Sequence, residues 1–232
     1  MKFSLVIPCY NEAANLPLLL ERCKGVTRHP DIEVILVDNG STDDSPQVLH
    51  SLLPQYAGCR SVRVEKNQGY GFGILAGLRA AKGEILGWTH ADMQTDPQDT
   101  LRGLDIFEKH GPDIFVKGQR YGRPLADVVF TMGMSVFETM LLGKPLWDIN
   151  AQPTMFSQAF FETWQYPPDD FSLDLYAYYQ ARCKKLKIFR FPVKFGERAH
   201  GVSHWNVNWA AKRKFIRGTV DFSFTLKKGI KA

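Results

Sequence analysis

Five short runs rich in Val, Ile and Leu recur through the first half of the chain, separated by stretches with helical spacing of apolar residues. FSLVI (3–7), IEVILVD (32–38), SVRVE (61–65), EILGW (84–88) and DIFVKG (113–118) read as strands. The stretches from about Ala13 to Cys23, PQVLHSLL, about Gly71 to Ala81 and about Pro97 to Lys109 read as helices. Apolar side chains at consecutive positions need cover on both faces of a strand, which predicts an α/β fold. Its sheet is expected to be mostly parallel, with helices on both faces. In such sheets ligands sit beyond the C-terminal ends of the strands. The segments that end there are PCYNE, VDNGSTDDS, KNQGYGFG and THADMQTDP, all polar.

The second half is less regular. ADVVFTMGMSVFETMLLG reads as a long apolar helix with Gly133 inside it and Gly143 as its C-cap. DINAQPTMFS reads as a loop entering a short strand. DFSLDLYAYYQARCKK reads as a helix starting near Asp170 or Ser172, and LKIFRFPVKF as a last strand. With 232 residues, no repeat and no linker-like tract, one domain is expected over 1–209, followed by a basic, aromatic segment over 210–232. From Lys184 onward there are 13 Lys or Arg against 2 acids, in a chain of net charge +5. That imbalance suits an anionic partner such as a membrane surface or phosphorylated ligand, or else a solvated face. Four scattered cysteines without a CxxC pair point to a reducing, cytoplasmic setting. The apolar run in MKFSLVIPCYNE is too short for a signal peptide, and no run of about 18 apolar residues is seen, so no spanning helix is expected.

In VDNGSTDDS, Asp38 ends a strand before a turn and helix start, where a fixed carboxylate and exposed amides can hold a base or ribose. An ordinary turn and N-cap explains the same residues. THADMQTDP is more specific. Asp92 and Gln94 alternate and can face one way, offering hard oxygen ligands suited to Mn²⁺ or Mg²⁺ beside phosphates. Asp96 before Pro97 also suits a helix cap.

In this order the motifs resemble family 2 glycosyltransferases of the GT-A fold, a Rossmann-like α/β architecture. IPCYNEAANL is similar to the family's first strand and loop, VDNGSTDDS to its nucleotide motif, and NQGYGFGILAGLRAAKGEIL to its Asn-Gly helix. HADMQTDP is similar to its Asp-Ala-Asp metal motif. DIFVKGQR, DINAQPTMF, FSLDLYAYYQA and FPVKFGERAHGVSHW resemble, in order, the polyprenyl-phosphate mannosyltransferase-like branch. The resemblance implies sugar transfer from a nucleotide-sugar donor to a polyprenyl-phosphate or glycan acceptor, inverting and divalent-metal dependent. It implies that Pro8, Tyr10, Glu12, Asp38, Asn67, Gly71, His90, Ala91 and Asp92 surround the donor. Asp92, Gln94 and His90 would hold Mn²⁺ or Mg²⁺. Arg120, Arg198, Ser203 and His204 would contact acceptor or phosphate, with Asp92, Arg120 and Asp174 as the catalytic set.

Two departures bear on that picture. His90 stands where the metal motif has its first acid, and imidazole suits Mn²⁺ better than Mg²⁺. It can ligate the site, contact the donor or stand aside. The branch also carries a further basic residue after the Gly-Ser-Arg-like motif, yet Leu125 to Leu142 holds no Lys or Arg, which leaves Arg123 or His204 as substitutes. Asp174 matches the position of a base in hydroxyl-transferring relatives, and also fits a helix first-turn acid. Apolar VVFTMGMSVFETMLL and basic KRKFIRGTVDFSF suit peripheral attachment at a bilayer surface. A binding protein that has lost catalysis is the alternative. A nucleotidyltransferase would need a phosphate loop that PCYNEAANL lacks, and no nucleic-acid motif accompanies the basic tail.

Overall fold

The structure is a computed structural model and describes residues 2–201 and 209–229. Seven strands form one sheet in the order β3-β2-β1-β4-β6-β5-β7. They are β1 Phe3–Cys9, β2 Ile32–Asn39, β3 Cys59–Val64, β4 Ile85–Trp88, β5 Ile114–Tyr121, β6 Thr154–Ser157 and β7 Lys187–Lys194. The helices are α1 Leu16–Val26, α2 Ser45–Leu52, α3 Tyr70–Ala80, α4 Asp99–His110, α5 Leu125–Leu142, α6 Gln158–Phe161, α7 Leu173–Cys183 and α8 Trp209–Lys227. The expected mostly parallel, two-faced α/β sheet is present. Only β6 runs antiparallel, to both β4 and β5.

The consecutive apolar positions of β1 and β2 divide between two cores. Phe3, Leu5, Ile7, Val34 and Leu36 pack with Leu16, Leu19, Leu20 and Phe107 on one face. Val6, Ile35 and Val37 pack with Ile74, Leu78 and the α7 residues Leu175 and Tyr176 on the other. Helix α3 lies very close to the sheet. A Cβ on Gly77 would come within 2.4 Å of Val6 Cγ1 and 2.8 Å of Val37 Cγ2. That contact sets the α3 N-terminus, Tyr70 and Gly71, against the end of the sheet.

Reversing β6 has a simple geometric result. Its first residue, Thr154, pairs with Trp88 at the end of β4 and with Lys117 on β5. The loop that enters β6, 147–153, therefore arrives at the same edge as the C-terminal ends of β1, β2, β4, β5 and β7.

Helix α5 ends as expected at Gly143, whose φ of +63° places it in the left-handed region. Otherwise α5 corrects the expectation of no helix fit to cross a membrane. By length and composition its 18 residues suffice, and only 17% of them are buried. Leu125, Val129, Met132, Val136 and Met140 form an exposed apolar stripe at helical spacing. The inner side carries buried Ser135, Glu138 and Leu142, and α8 packs against it through a hydrogen bond from Ser223 Oγ to Glu138 Oε1 of 2.7 Å.

Burial raises the Glu138 pKa from 4.5 to about 7 despite that hydrogen bond. The folded protein therefore holds this proton more tightly than the unfolded chain. The stability this contributes is complete below pH 4.5 and lost as pH rises through about 7. Glu138→Gln is expected to remove the slope. In urea denaturation the variant should exceed the parent by about 3 kcal/mol at pH 8, converging near pH 4.5. An equal difference at both pH values would contradict this account.

Candidate active site

Four loops meet at the C-terminal edge. At the end of β2, Asp38 is buried, its Oδ1 accepts the Ser41 N–H (3.0 Å), and its Oδ2 faces Arg63 of β3 at 3.5 Å. The loop after β1 is stitched to the one after β2. Asn11 Oδ1 accepts the Thr42 N–H (2.8 Å), while the Glu12 N–H donates to Ser45 Oγ (2.9 Å). Pro8 lies within β1, and Tyr10 and Glu12 are half-buried beyond its end. Asn67 Oδ1 accepts the Gly69 N–H (2.9 Å) and so shapes the turn into α3. Gly71 approaches protein backbone, since a Cβ there would lie 2.6 Å from the Pro168 carbonyl oxygen.

The loop after β4 is closed on itself. Thr89 and Thr95 share a hydroxyl hydrogen bond of 3.1 Å, and Asp92 Oδ1 accepts the Gln94 N–H at 3.1 Å. Met93 between them has φ +60°, a left-handed conformation that costs a non-glycine residue free energy. Backbone held this way often marks a functional turn. Ala91 is buried, and Asp92 is only 5% exposed. Arg198, in the segment after β7, donates to Asp92 Oδ2 at 2.9 Å. Gln94 Nε2 donates to the Gly196 carbonyl (3.2 Å), and the Gly196 N–H donates to the Gln94 carbonyl (2.8 Å). Asp96 pairs with Arg22 and accepts the Gln98 N–H (2.9 Å) in the turn before α4, whose N-cap is Gln98 rather than the expected Asp96.

His90 is drawn into a column of rings. Its imidazole stacks on Tyr70 at 5.5 Å between centroids, and Tyr70 stacks on Phe171 at 4.7 Å. Among the described residues, no three His, Cys, Asp or Glu side chains form a metal-binding group. A divalent cation at Asp92 Oδ2 would have to compete with the positive partner that this oxygen already carries. With one protein carboxylate there, its other ligands would include oxygens of a bound molecule.

Farther along the edge, three arginines surround one aspartate. Asp148, held at φ +43°, takes two guanidinium hydrogen bonds from Arg120 and lies 3.7 Å from Arg123, while its carbonyl accepts from Arg190 (3.0 Å). Burial opposes the Asp148 carboxylate, but Arg120 and Arg190 outweigh it and hold its pKa below the ordinary value. Arg120 and Arg123 also sit over the Phe195 ring at 5.3 and 5.6 Å. One carboxylate against three guanidiniums leaves surplus positive charge, suited to an anion. Next to this cluster, Lys117 is fully buried. Its Nζ donates to Thr154 Oγ1 (2.6 Å) and lies 3.8 Å from Asp174 Oδ1, which also accepts from Gln152 Nε2 (2.7 Å). Burial lowers the Lys117 pKa to about 7 and raises that of Asp174, against the attraction between them. Asp174 lies in the field of both His90 and Arg120, so it links the β4 loop to the arginine cluster.

A model of the family described as Glycosyl transferase family 2 matches residues 4–163. The chain belongs to glycosyl transferase family 2.

Curated relatives of this family 2 chain include the undecaprenyl-phosphate 4-deoxy-4-formamido-L-arabinose transferases of Serratia proteamaculans and Pseudomonas paraeruginosa. The first is 37% identical over 113 residues, 47% of this chain and 34% of the relative. The second is 39% identical over 103 residues, 43% and 30%. The match thus spans about a third of these relatives' length. Among solved structures, glucosyl-3-phosphoglycerate synthase from Mycobacterium tuberculosis with Mn²⁺, UDP and glucosyl-3-phosphoglycerate superposes with a TM-score of 0.72. It is 18% identical, with 100% of this chain and 81% of that one covered. A mannosyltransferase from Pyrobaculum calidifontis with GDP-Man and Mn²⁺ gives 0.67 at 20% identity, covering 93% and 64%. These likenesses show the fold, the GT-A architecture expected from the motifs.

Of the residues singled out in this family 2 sequence, the structure brings Asp92, Gln94 and Arg198 into one cluster, and Arg120 and Arg123 into another. Ser203 and His204 lie outside the described residues. Sequence reasoning passed over Lys117, Asp148, Arg190, Tyr70 and Phe171. A lysine within the apolar run DIFVKG was the one available signal, because a buried charge needs a buried partner. Removing that charge tests the partnership. Lys117→Met is expected to cost about 3–5 kcal/mol in chemical denaturation by leaving Asp174 buried and unpaired. Lys117→Met with Asp174→Leu should recover at least half of the loss. Additive losses in the double-mutant cycle would show that the two side chains do not support each other.

Proposed function

We propose that this chain transfers a sugar from a nucleotide diphosphate sugar to a phosphate-bearing polyprenyl acceptor, with a divalent cation at Asp92. The observation that carries this reading is the order of charges along one sheet edge. Asp38 and the stitched β1 and β2 loops lie at one end, Asp92 at the middle, and the Arg120–Arg123–Arg190 cluster beyond it. A nucleoside, a diphosphate and a second anion match that order. The curated relatives named as undecaprenyl-phosphate transferases, and the solved structures holding UDP or GDP-Man with Mn²⁺, support the same reading.

Each group then has a chemical task. The fixed Asp38 carboxylate accepts hydrogen bonds from the nucleoside, beside Tyr10 and Glu12. Asp92, with Gln94 beside it, is the residue to hold Mn²⁺ or Mg²⁺, which when bound neutralises charge on the leaving diphosphate. Arg120 and Arg123 orient the acceptor phosphate as planar, bidentate donors. A phosphate is already an anion and needs no base. This agrees with Asp174 being buried and occupied by Lys117 and Gln152. His90, stacked on Tyr70, borders the space between donor and acceptor. The test is calorimetric titration of the full chain with UDP and GDP, with and without Mn²⁺, followed by transfer assays to undecaprenyl phosphate. Binding of one nucleotide, strengthened by Mn²⁺ and lost in Asp92→Ala, is expected. Nucleotide binding without transfer would favour a binding protein.

We further infer peripheral attachment at the cytoplasmic face of a membrane. The α5 stripe carries no charge, and Arg213, Arg217, Lys227 and Lys228 of the adjoining α8 segment are exposed. Apolar insertion beside basic residues, each worth about 1 kcal/mol near an anionic surface, is sufficient for reversible binding. Flotation with vesicles of phosphatidylglycerol and phosphatidylcholine should capture the protein. Val136→Asp with Met140→Asp should abolish capture without changing thermal stability, because both side chains are exposed. Unchanged capture would exclude α5 as the contact.

A further inference from the structure

The cluster at Asp92 raises a competition that the order of charges does not by itself reveal. Both oxygens of this carboxylate are engaged, Oδ1 by the Gln94 N–H at 3.1 Å and Oδ2 by Arg198 Nη2 at 2.9 Å. The Asp92 side chain is 8% exposed and that of Arg198 26%, so the pair is largely withdrawn from solvent. The segment carrying Arg198 is held on both sides of it. Before it, Gly196 and Gln94 exchange two hydrogen bonds (2.8 and 3.2 Å) and the Phe195 N–H donates to the Tyr121 carbonyl (2.9 Å). After it, the His200 carbonyl accepts from Asn15 Nδ2 at 3.3 Å. Arg198 is therefore placed on Asp92 by a strap that runs from β7 across the β4 loop to the β1–α1 loop.

The position two residues before Asp92 adds to the competition. With histidine at 90, the β4 loop offers a single carboxylate here, and at Oδ2 the Arg198 guanidinium already holds the place and the charge for which a divalent cation would compete. A free cation reaching Asp92 must displace Arg198 and leave it without its partner. A cation arriving with a diphosphate meets different terms. The diphosphate supplies oxygens to the cation and offers the displaced guanidinium a second pair of anionic acceptors.

We propose that Arg198 is the resident counter-ion of Asp92, and that it passes to the donor's diphosphate as the cation takes its place. The proposal rests on the donor-site reading above. Arg198 is a positioning residue in this scheme, and its consequence is linkage: cation and nucleotide each strengthen the binding of the other.

The test measures Mn²⁺ binding to the full chain by calorimetry and by the electron paramagnetic resonance signal of free Mn²⁺, alone and with UDP or GDP. The parent is expected to bind Mn²⁺ weakly alone and more tightly with the nucleotide. Arg198→Gln should bind Mn²⁺ alone roughly five- to tenfold more tightly, the size expected for a partly shielded ion pair. The strengthening of Mn²⁺ binding by nucleotide should shrink in that variant, and Arg198→Lys should fall between it and the parent. A merely structural arginine would give the opposite sign, because loosening the loop does not improve a cation site. Free-Mn²⁺ affinity unchanged or weakened in Arg198→Gln, with nucleotide binding intact, overturns the exchange and leaves the donor site standing. Failure of parent and variant alike to bind UDP or GDP at any Mn²⁺ concentration overturns both.

Discussion

A sheet sealed on both faces by helices leaves one place for polar chemistry, the rim beyond its strand ends. Val34, Ile35, Leu36 and Val37 of β2 are all buried, alternating between two cores. No polar side chain can be introduced among them without a partner. The charged groups that the chain can use are thus pushed to Asp38, Asp92 and Arg120, one at the end of each of three strands or in the loop that follows. The tight seat of Gly77 on Val6 and Val37 extends the same constraint to α3, whose first residue Tyr70 then lies beside His90.

Within that rim, the electrostatics are built from shortage. The β2 end has its carboxylate fixed by backbone amides, as Asp38 is by Ser41. The middle has one buried carboxylate and one arginine. The far end has three arginines around Asp148, a surplus that the burial of Arg190 makes costly to keep unmatched.

Much of this could be read before any coordinates. Val- and Ile-rich runs alternating with helical periods specify both the strands and their two-sided burial, and the polar tips follow from the sheet's geometry. Gly143 ends α5 for the reason glycine usually does, its access to the left-handed region. What escaped was whatever depends on contacts between distant residues. The reversal of β6 leaves no mark in four apolar or small residues, TMFS. Asp148 and Arg190 look like ordinary loop and strand residues until the fold places them 42 positions apart in sequence but in hydrogen-bond contact. The exposure of α5 was also hidden, since an apolar helix reads the same whether it meets a core or a lipid surface.

The single antiparallel strand has a consequence for how such a protein can diverge. Because β6 turns back, Asp148 and Gln152 reach the rim on a loop covalently remote from the β1, β2 and β4 tips. Within the sheet, the half that bears Asp38 and the half that bears Asp148 are joined through β6, which pairs with β4 over four residues and with β5 over three. Substitutions in the 147–153 loop can reshape the arginine cluster while the Asp38 end keeps its geometry. The two ends of the rim are thus carried on separate stretches of chain, so that either can change gradually without rebuilding the other.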